Sequence, residues 1–161
     1  MRIVPASIRT NDVQTEPRRW TCGASCLDAA LGGGFAYGCV HEIYAAEADD
    51  AATATGMALA LSAGMAKAGT PVFWLRARRG TGQARILQGS GWADLGGAVE
   101  DALVAVLPDT LSLLRAAVDA VRCSASGVVI LEGWGKMPEL DLTASRRLAL
   151  AAEKSGVPLL L

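Results

Sequence analysis

The sequence predicts an α/β protein built on a mostly parallel sheet with helices on both faces, and three observations carry that prediction. Runs of consecutive apolar residues recur at 71–75, 103–107, 128–131 and 157–161, and unbroken apolar strands mark a sheet buried on both sides. Between them lie segments with apolar residues at helical spacing, opened by aspartates and closed by glycines. The chain has 161 residues, which fits one domain, and at this size about 70% of the unfolded surface can be buried. The right-handed crossover rule then limits the topology.

Residues 1–19 read as an arm or linker, because 5–19 is polar, carries Pro5 and Pro17 and has no clear period. A core domain is expected over 20–161. Residues 24–31 make a short helix stopped by Gly32, Gly33 and Gly34, since glycine accepts the left-handed conformation that ends helices. The 39–44 segment is a strand, with Val40, Ile43 and Tyr44 supplying β-branched and aromatic bulk.

Asp49 and Asp50 precede a helix running to Ala68, on which Met57, Leu61, Gly64, Met65 and Ala68 recur at helical spacing before Gly69. PVFWL at 71–75 is a buried strand. The Gly- and Arg-rich stretch 76–97 yields only a short helix around 84–88. A strand at 103–107 leads to Asp109, which caps a helix with Leu111, Leu114, Val118 and Val121 aligned. Residues 128–131 form a buried strand, Asp141 caps a helix to about Ser155, and 157–161 starts another strand. Because the sequence stops inside what reads as a core strand, a truncated C-terminus with a missing tail is expected.

Net charge is -1, which argues against non-specific nucleic-acid binding by the whole molecule while leaving room for a local basic patch. Residues 1–20 lack the apolar core of a secretory signal. No stretch reaches the roughly 20 apolar residues of a membrane span, and the alanine-rich run 51–68 is broken by Gly56 and Gly64. A cytoplasmic, reducing setting without membrane attachment is expected. Cys22 and Cys26 are four residues apart, yet nothing nearby in sequence completes a zinc set; both read as packing residues. His41 is the only histidine. Without a second histidine or a Gly-x-Ser-x-Gly turn it supports no hydrolase triad, and a structural role bonded to backbone is expected.

Chemistry in such folds belongs at the carboxyl ends of the strands. LGGGFAYGCVHEIYA at 31–45 resembles the segment leading into the phosphate loop of RecA-type recombinases, which implies a RecA-like fold. The loop itself should follow at 45–56, which reads AAEADDAATATG, with no glycine or lysine between Tyr44 and Gly56. Phosphate loops need glycines so that backbone N–H groups wrap the phosphates, and a Lys-Ser/Thr pair for phosphate and magnesium. Ala45, Glu47, Asp49 and Asp50 therefore mark a degenerate loop. The three carboxylates put negative charge where a polyphosphate would sit, and at a helix N-terminus they satisfy the free N–H groups themselves.

The resemblance also implies a catalytic glutamate after the next strand, where this chain has Leu75, Arg76, Ala77, Arg78 and Arg79. No carboxylate there orients an attacking water. Glu132 ends the 128–131 strand where the second acidic motif of that family ends, and without a lysine partner it reads as a strand-end residue. No catalytic residue, cofactor or metal is expected, and the chain is not expected to be an enzyme.

A narrower resemblance is to ImuA-type proteins, RecA-like relatives encoded with damage-induced mutagenesis genes in bacteria. It is carried by 31–45, by the broken loop, and by LDLTASRRLALAAEKSGVPLLL at 140–161, roughly a quarter of the chain in all. That resemblance implies a non-catalytic accessory protein of translesion synthesis in the DNA-damage (SOS) response. Its partners would be an inactive Y-family-like protein (ImuB) and an error-prone polymerase, with RecA, weak DNA contact and self-association as further expectations. RecA-type proteins assemble through an N-terminal arm, and 5–19 is placed to serve that way.

Candidate contact residues fall in three places. Arg76, Arg78, Arg79 and Arg85, with Gly80 and Gly82 between them, follow a strand at the ligand edge and suit a phosphate or an acidic surface; the alternative is a solvated loop. Trp134 and Lys136 follow strand 128–131, where a RecA protein carries a DNA-contacting loop. Trp134 suits base stacking, an interface anchor, or folding back over the sheet edge. Arg146 and Arg147 lie about 100° apart on one helix, so one is expected to pair with Glu139 or Glu153 and the other to reach a partner. Two further readings stand beside the mutagenesis adaptor: a SulA-type cell-division inhibitor binding the tubulin-like division protein, and a divergent ATPase or recombinase.

Overall fold

The structure is a computed structural model that describes residues 16–78 and 88–161. Five parallel strands make the main sheet: β3 (Val40–His41), β4 (Val72–Ala77), β5 (Ala102–Leu107), β6 (Val128–Glu132) and β7 (Leu159–Leu160). Their spatial order is β3-β7-β6-β4-β5. A separate antiparallel pair joins β1 (Arg19–Trp20) to β2 (Phe35–Ala36). Helix α1 (Ser25–Ala30) links that pair, and α2 (Ala51–Met65), α3 (Gly89–Asp94), α4 (Thr110–Arg122) and α5 (Leu142–Ser155) connect the parallel strands.

The sheet's side chains alternate between two cores, as strand geometry requires. On one face Val72, Trp74, Val128, Ile130 and Leu160 pack against Leu61 and Met65 of α2 and Trp92 of α3. On the other, Leu75, Val129, Leu131 and Leu159 meet Leu113, Ala117 and Val121 of α4 and Leu148 and Ala152 of α5. Each fully buried Leu or Val side chain contributes about 1.5–3 kcal/mol of transfer free energy. The α/β, mostly parallel architecture with helices on both faces is the one the sequence predicts.

Helix ends follow local chemistry. Asp109 accepts the Ser112 N–H at 2.7 Å and Asp141 the Ala144 N–H at 2.8 Å, which satisfies one free N–H at the start of α4 and of α5. Gly156 closes α5 in the left-handed region at φ +78. Gly34, at φ +110, brings its Cα so close to the Trp20 carbonyl that a Cβ would lie 2.3 Å from that oxygen.

Several expectations are corrected. Helix α2 ends at Met65 and not Ala68, because Ala66 is extended and the Thr70 N–H turns back to the Lys67 carbonyl. Strand β4 runs two residues beyond Leu75, since Arg76 and Ala77 stay in register with β5. Strand β3 is only two residues long, although the Ile43 N–H still reaches the Leu161 carbonyl. The pair β1–β2 and helix α3 were not foreseen, and α3 is held by Trp92, which is buried in a Gly-rich stretch. Of the helix expected around 84–88, residues 84–87 lie outside the described residues, as does most of the expected arm.

Candidate functional site

Strands β4 and β6 are neighbours, and their register sets Arg76 opposite Glu132 at the carboxyl end of the sheet. Residues two apart on a strand share a face, so Arg76 follows Trp74 and Glu132 follows Ile130 onto the side covered by α2. Arg76 Nε lies 3.1 Å from Glu132 Oε2, with the two side chains 8% and 11% exposed. The guanidinium also rests over the Trp74 ring, 5.2 Å from its centroid, within the range of cation–π attraction. Thr55, one turn into α2, places Oγ1 3.4 Å from Glu132 Oε1 and 3.0 Å from the Ala51 carbonyl. Its single proton serves one acceptor at a time.

This cluster occupies the ends of the neighbouring strands β4 and β6, and it corrects two readings of the sequence. Arg76 is not part of an exposed arginine loop but a buried member of β4. Glu132 is not a solitary strand-end acid but the partner of Arg76. Sequence reasoning missed the pair because its members lie far apart in the chain. The available signal was a charged residue at the end of each of two otherwise apolar runs, since buried charges are kept in pairs.

At the degenerate loop, Ala48–Asp50 forms a single 3-10 turn leading into α2. Asp50 sits at the helix start with φ -80 and ψ -3, and its side chain makes no capping bond. The expectation that these carboxylates satisfy the free N–H groups of α2 is thus not met. Glu47, Asp49 and Asp50 are exposed, as is Ala45.

A cleft of about 480 Å³ opens at the carboxyl edge of β4. Ala77, Arg78, Thr110, Trp134, Met137 and Glu139 line it. Two of the predicted contact segments therefore converge, with Arg78 exposed at the end of β4 and Trp134 half-buried after β6. Lys136 is exposed and is not among the lining residues. Arg146 and Arg147 stand exposed on α5, and among the described residues neither pairs with Glu139 or Glu153. Arg79 and Arg85 lie outside the described residues.

His41 donates from Nε2 to the Ala36 carbonyl at 2.8 Å and meets Phe35 edge-on at 5.1 Å. Burial pushes its pKa below the ordinary value, opposed by the bond to Ala36. This is the structural, backbone-bonded histidine expected. The four cysteines are free thiols; Cys22 is half-buried and Cys26 exposed, so only the former packs as expected. Burial raises the pKa of the Cys39 thiol, with Glu153 adding to the rise against Arg19. Among the described residues no group of three His, Cys, Asp or Glu side chains converges, and no helix is long and apolar enough to cross a membrane.

No protein-family model and no curated protein matches the chain. Among solved structures, SulA from Pseudomonas aeruginosa is similar, with a TM-score of 0.53 and 16% identity over 75% of this chain and 93% of that one. The RadB recombinase is similar with a TM-score of 0.50 and 17% identity, over 83% of this chain and 64% of that one. Likeness at such identities shows the fold, which is RecA-like and shared with SulA.

Proposed function

We propose that the chain is a non-catalytic RecA-like adaptor of DNA-damage-induced translesion mutagenesis, which binds an inactive Y-family-like protein and hydrolyses no ATP. The observation that carries this reading is the Arg76–Glu132 ion pair across the ends of β4 and β6. A catalytic carboxylate and a magnesium ligand are needed at those strand ends for phosphoryl transfer. Here an arginine stands in one place and neutralises the acid in the other. Exposed Glu47, Asp49 and Asp50 add repulsion toward a polyphosphate at the degenerate loop. What remains for function is surface, and the convergence of Arg78 with Trp134 in one cleft supports partner binding.

The ImuA-like segments at 31–45 and 140–161 favour the mutagenesis complex. A SulA-type division inhibitor is the second reading, favoured by a structural likeness that covers 93% of the SulA chain. Both are binding proteins and differ in partner. Affinity capture of the tagged chain from a DNA-damaged lysate, read by mass spectrometry, separates them. Recovery of the Y-family-like protein or its polymerase supports the first reading. Recovery of the tubulin-like division protein in their place overturns it in favour of the second.

A further inference from the structure

Opposite the strand-end ion pair, the amino-terminal ends of the parallel strands β4, β6 and β7 share a rim. A cavity of about 180 Å³ opens there, with Arg18, Lys67, Thr70, Ser124, Ser126 and Ser155 in its wall. The lining holds two bases and no carboxylate. Helices α2, α4 and α5 all end at this rim, and helix C-termini ordinarily attract cations through their free carbonyls. Here the protein supplies donors to those carbonyls itself. Tyr37 Oη donates to the Met65 carbonyl and Ser126 Oγ to the Ala120 carbonyl, each at 2.8 Å. Thr70 Oγ1 donates to the Lys67 carbonyl at 2.6 Å, and Ser155 Oγ to the Ala152 carbonyl at 3.3 Å.

The two bases are uncommitted. Among the described residues neither Arg18 nor Lys67 forms an ion pair. Arg18 lays its guanidinium over the Tyr37 ring, 4.2 Å from the centroid. Stacking uses the flat face and leaves the in-plane N–H donors open to an anion. On the flanking segments Arg122 and Lys154 are set against Glu16, Asp101, Asp119 and Glu153. The attraction for an anion therefore comes from the two lining bases and not from the wider surface.

The hydroxyls decide which anion. A hydroxyl whose proton is held by a carbonyl offers only acceptor lone pairs to the cavity. Thr70, Ser126 and Ser155 are in that state, and Ser126 is buried. Their oxygens repel a fully deprotonated anion and accept from one that keeps a proton. The volume lies below the roughly 300–1,000 Å³ of pockets for drug-sized molecules, so the ligand is small.

We infer that this pocket binds inorganic phosphate. Arg18 and Lys67 neutralise the anion, and the exposed Ser124 hydroxyl donates to it. The P–O–H that phosphate retains at neutral pH donates to one of the three acceptor hydroxyls. Sulfate has the same shape without that proton, so it leaves the acceptors facing its own oxygens. The site lies at the other end of the sheet from the degenerate loop and does not depend on which protein the chain binds.

The full chain, isotope-labelled for amide NMR, is titrated with sodium phosphate at neutral pH and constant ionic strength. Saturating shifts are expected at 67–70, 124–127 and 155–157. Sulfate, the more highly charged ion at this pH, binds at least about tenfold more weakly, a comparison that needs no variant. Lys67→Ala and Arg18→Ala, each with an unchanged melting profile, weaken phosphate at least about fivefold, and Lys67→Arg keeps most of the affinity. Magnesium-ATP, whose phosphates carry no proton, does not displace it. Sulfate as tight as phosphate marks a purely electrostatic patch and overturns the proposal. So do displacement by magnesium-ATP, shifts centred elsewhere, no saturation by about 10 mM phosphate, or unchanged affinity in both alanine variants.

Discussion

Arg76 on β4 and Glu132 on β6 face each other in register, and their side chains meet at 3.1 Å with little exposure to solvent. Removing water from both charges is costly, and their mutual attraction offsets that cost only while both are present. Glu132→Ala removes the carboxylate that meets the buried guanidinium and is expected to destabilise the fold by about 3 kcal/mol. Replacing both residues by leucine should recover most of that loss. Urea denaturation of the two variants checks it, and a double variant no more stable than the single one contradicts the pairing.

The antiparallel pair β1–β2 is seated on the main domain through Trp20. A Cβ at Gly64 of α2 would lie 2.0 Å from Trp20 Cζ2, so the helix surface is open at that position because of the missing side chain. Gly64→Ala should cost about 1–3 kcal/mol as the ring is displaced. The smaller side chain of Trp20→Leu should relieve the clash when combined with it. Thermal melts of the single and double variants read this directly.

Loss of a single cap should cost less than loss of the ion pair. Asp141→Ala removes the acceptor of the Ala144 N–H and is expected to lower stability by about 1 kcal/mol. Asp141→Asn should restore most of it. Helical circular dichroism through a denaturant series distinguishes the two variants.

The single histidine predicts a pH dependence with a definite sign. Burial lowers the His41 pKa in the folded state, so between that pKa and the ordinary value near about 6.5 the unfolded chain binds the proton better. Stability is therefore complete above about 6.5 and declines as the pH drops through that value toward the folded pKa. Thermal melts at pH 8 and pH 5.5 should show the decline, and His41→Gln should flatten it. At lower pH a second loss follows. The N–H groups of Cys22 and Gly23 hold the Asp28 carboxyl below its ordinary pKa, and Ser112 does so for Asp109. Their contribution is present above the unfolded carboxylate value and disappears as the pH drops through the folded one.

Much of this fold was legible because its cores are apolar and local. The runs at 71–75 and 128–131 are strands, Asp109 and Asp141 cap the helices that follow them, and Gly156 ends the last helix. What the sequence hid is long-range. Arg76 reads as the first arginine of a loop because nothing local tells that its partner is Glu132, on the adjacent strand. Helix α3 was hidden by its glycines, which lower helix propensity, and its single anchor Trp92 is visible only when the core is assembled. The acidic turn before α2 misled in another way. Asp50 has the composition of a cap, but its backbone is already helical at φ -80 and ψ -3, whereas a capping residue is extended. Of the proposed contacts, the convergence of Arg78 and Trp134 on one cleft depends on strand order, which local pattern does not encode.

On the proposed reading, the ends of β4 and β6 hold an ion pair where phosphoryl transfer needs a catalytic carboxylate and a magnesium ligand, and the chain binds no magnesium nucleotide. Titration of the chain with magnesium-ATP by isothermal calorimetry, with Trp fluorescence in parallel, tests it most directly. No binding is expected up to about 1 mM nucleotide, an affinity weaker than about -4 kcal/mol. Saturable binding at micromolar nucleotide, lost when Thr55 is replaced by alanine, would contradict it and return the chain to the ATPases.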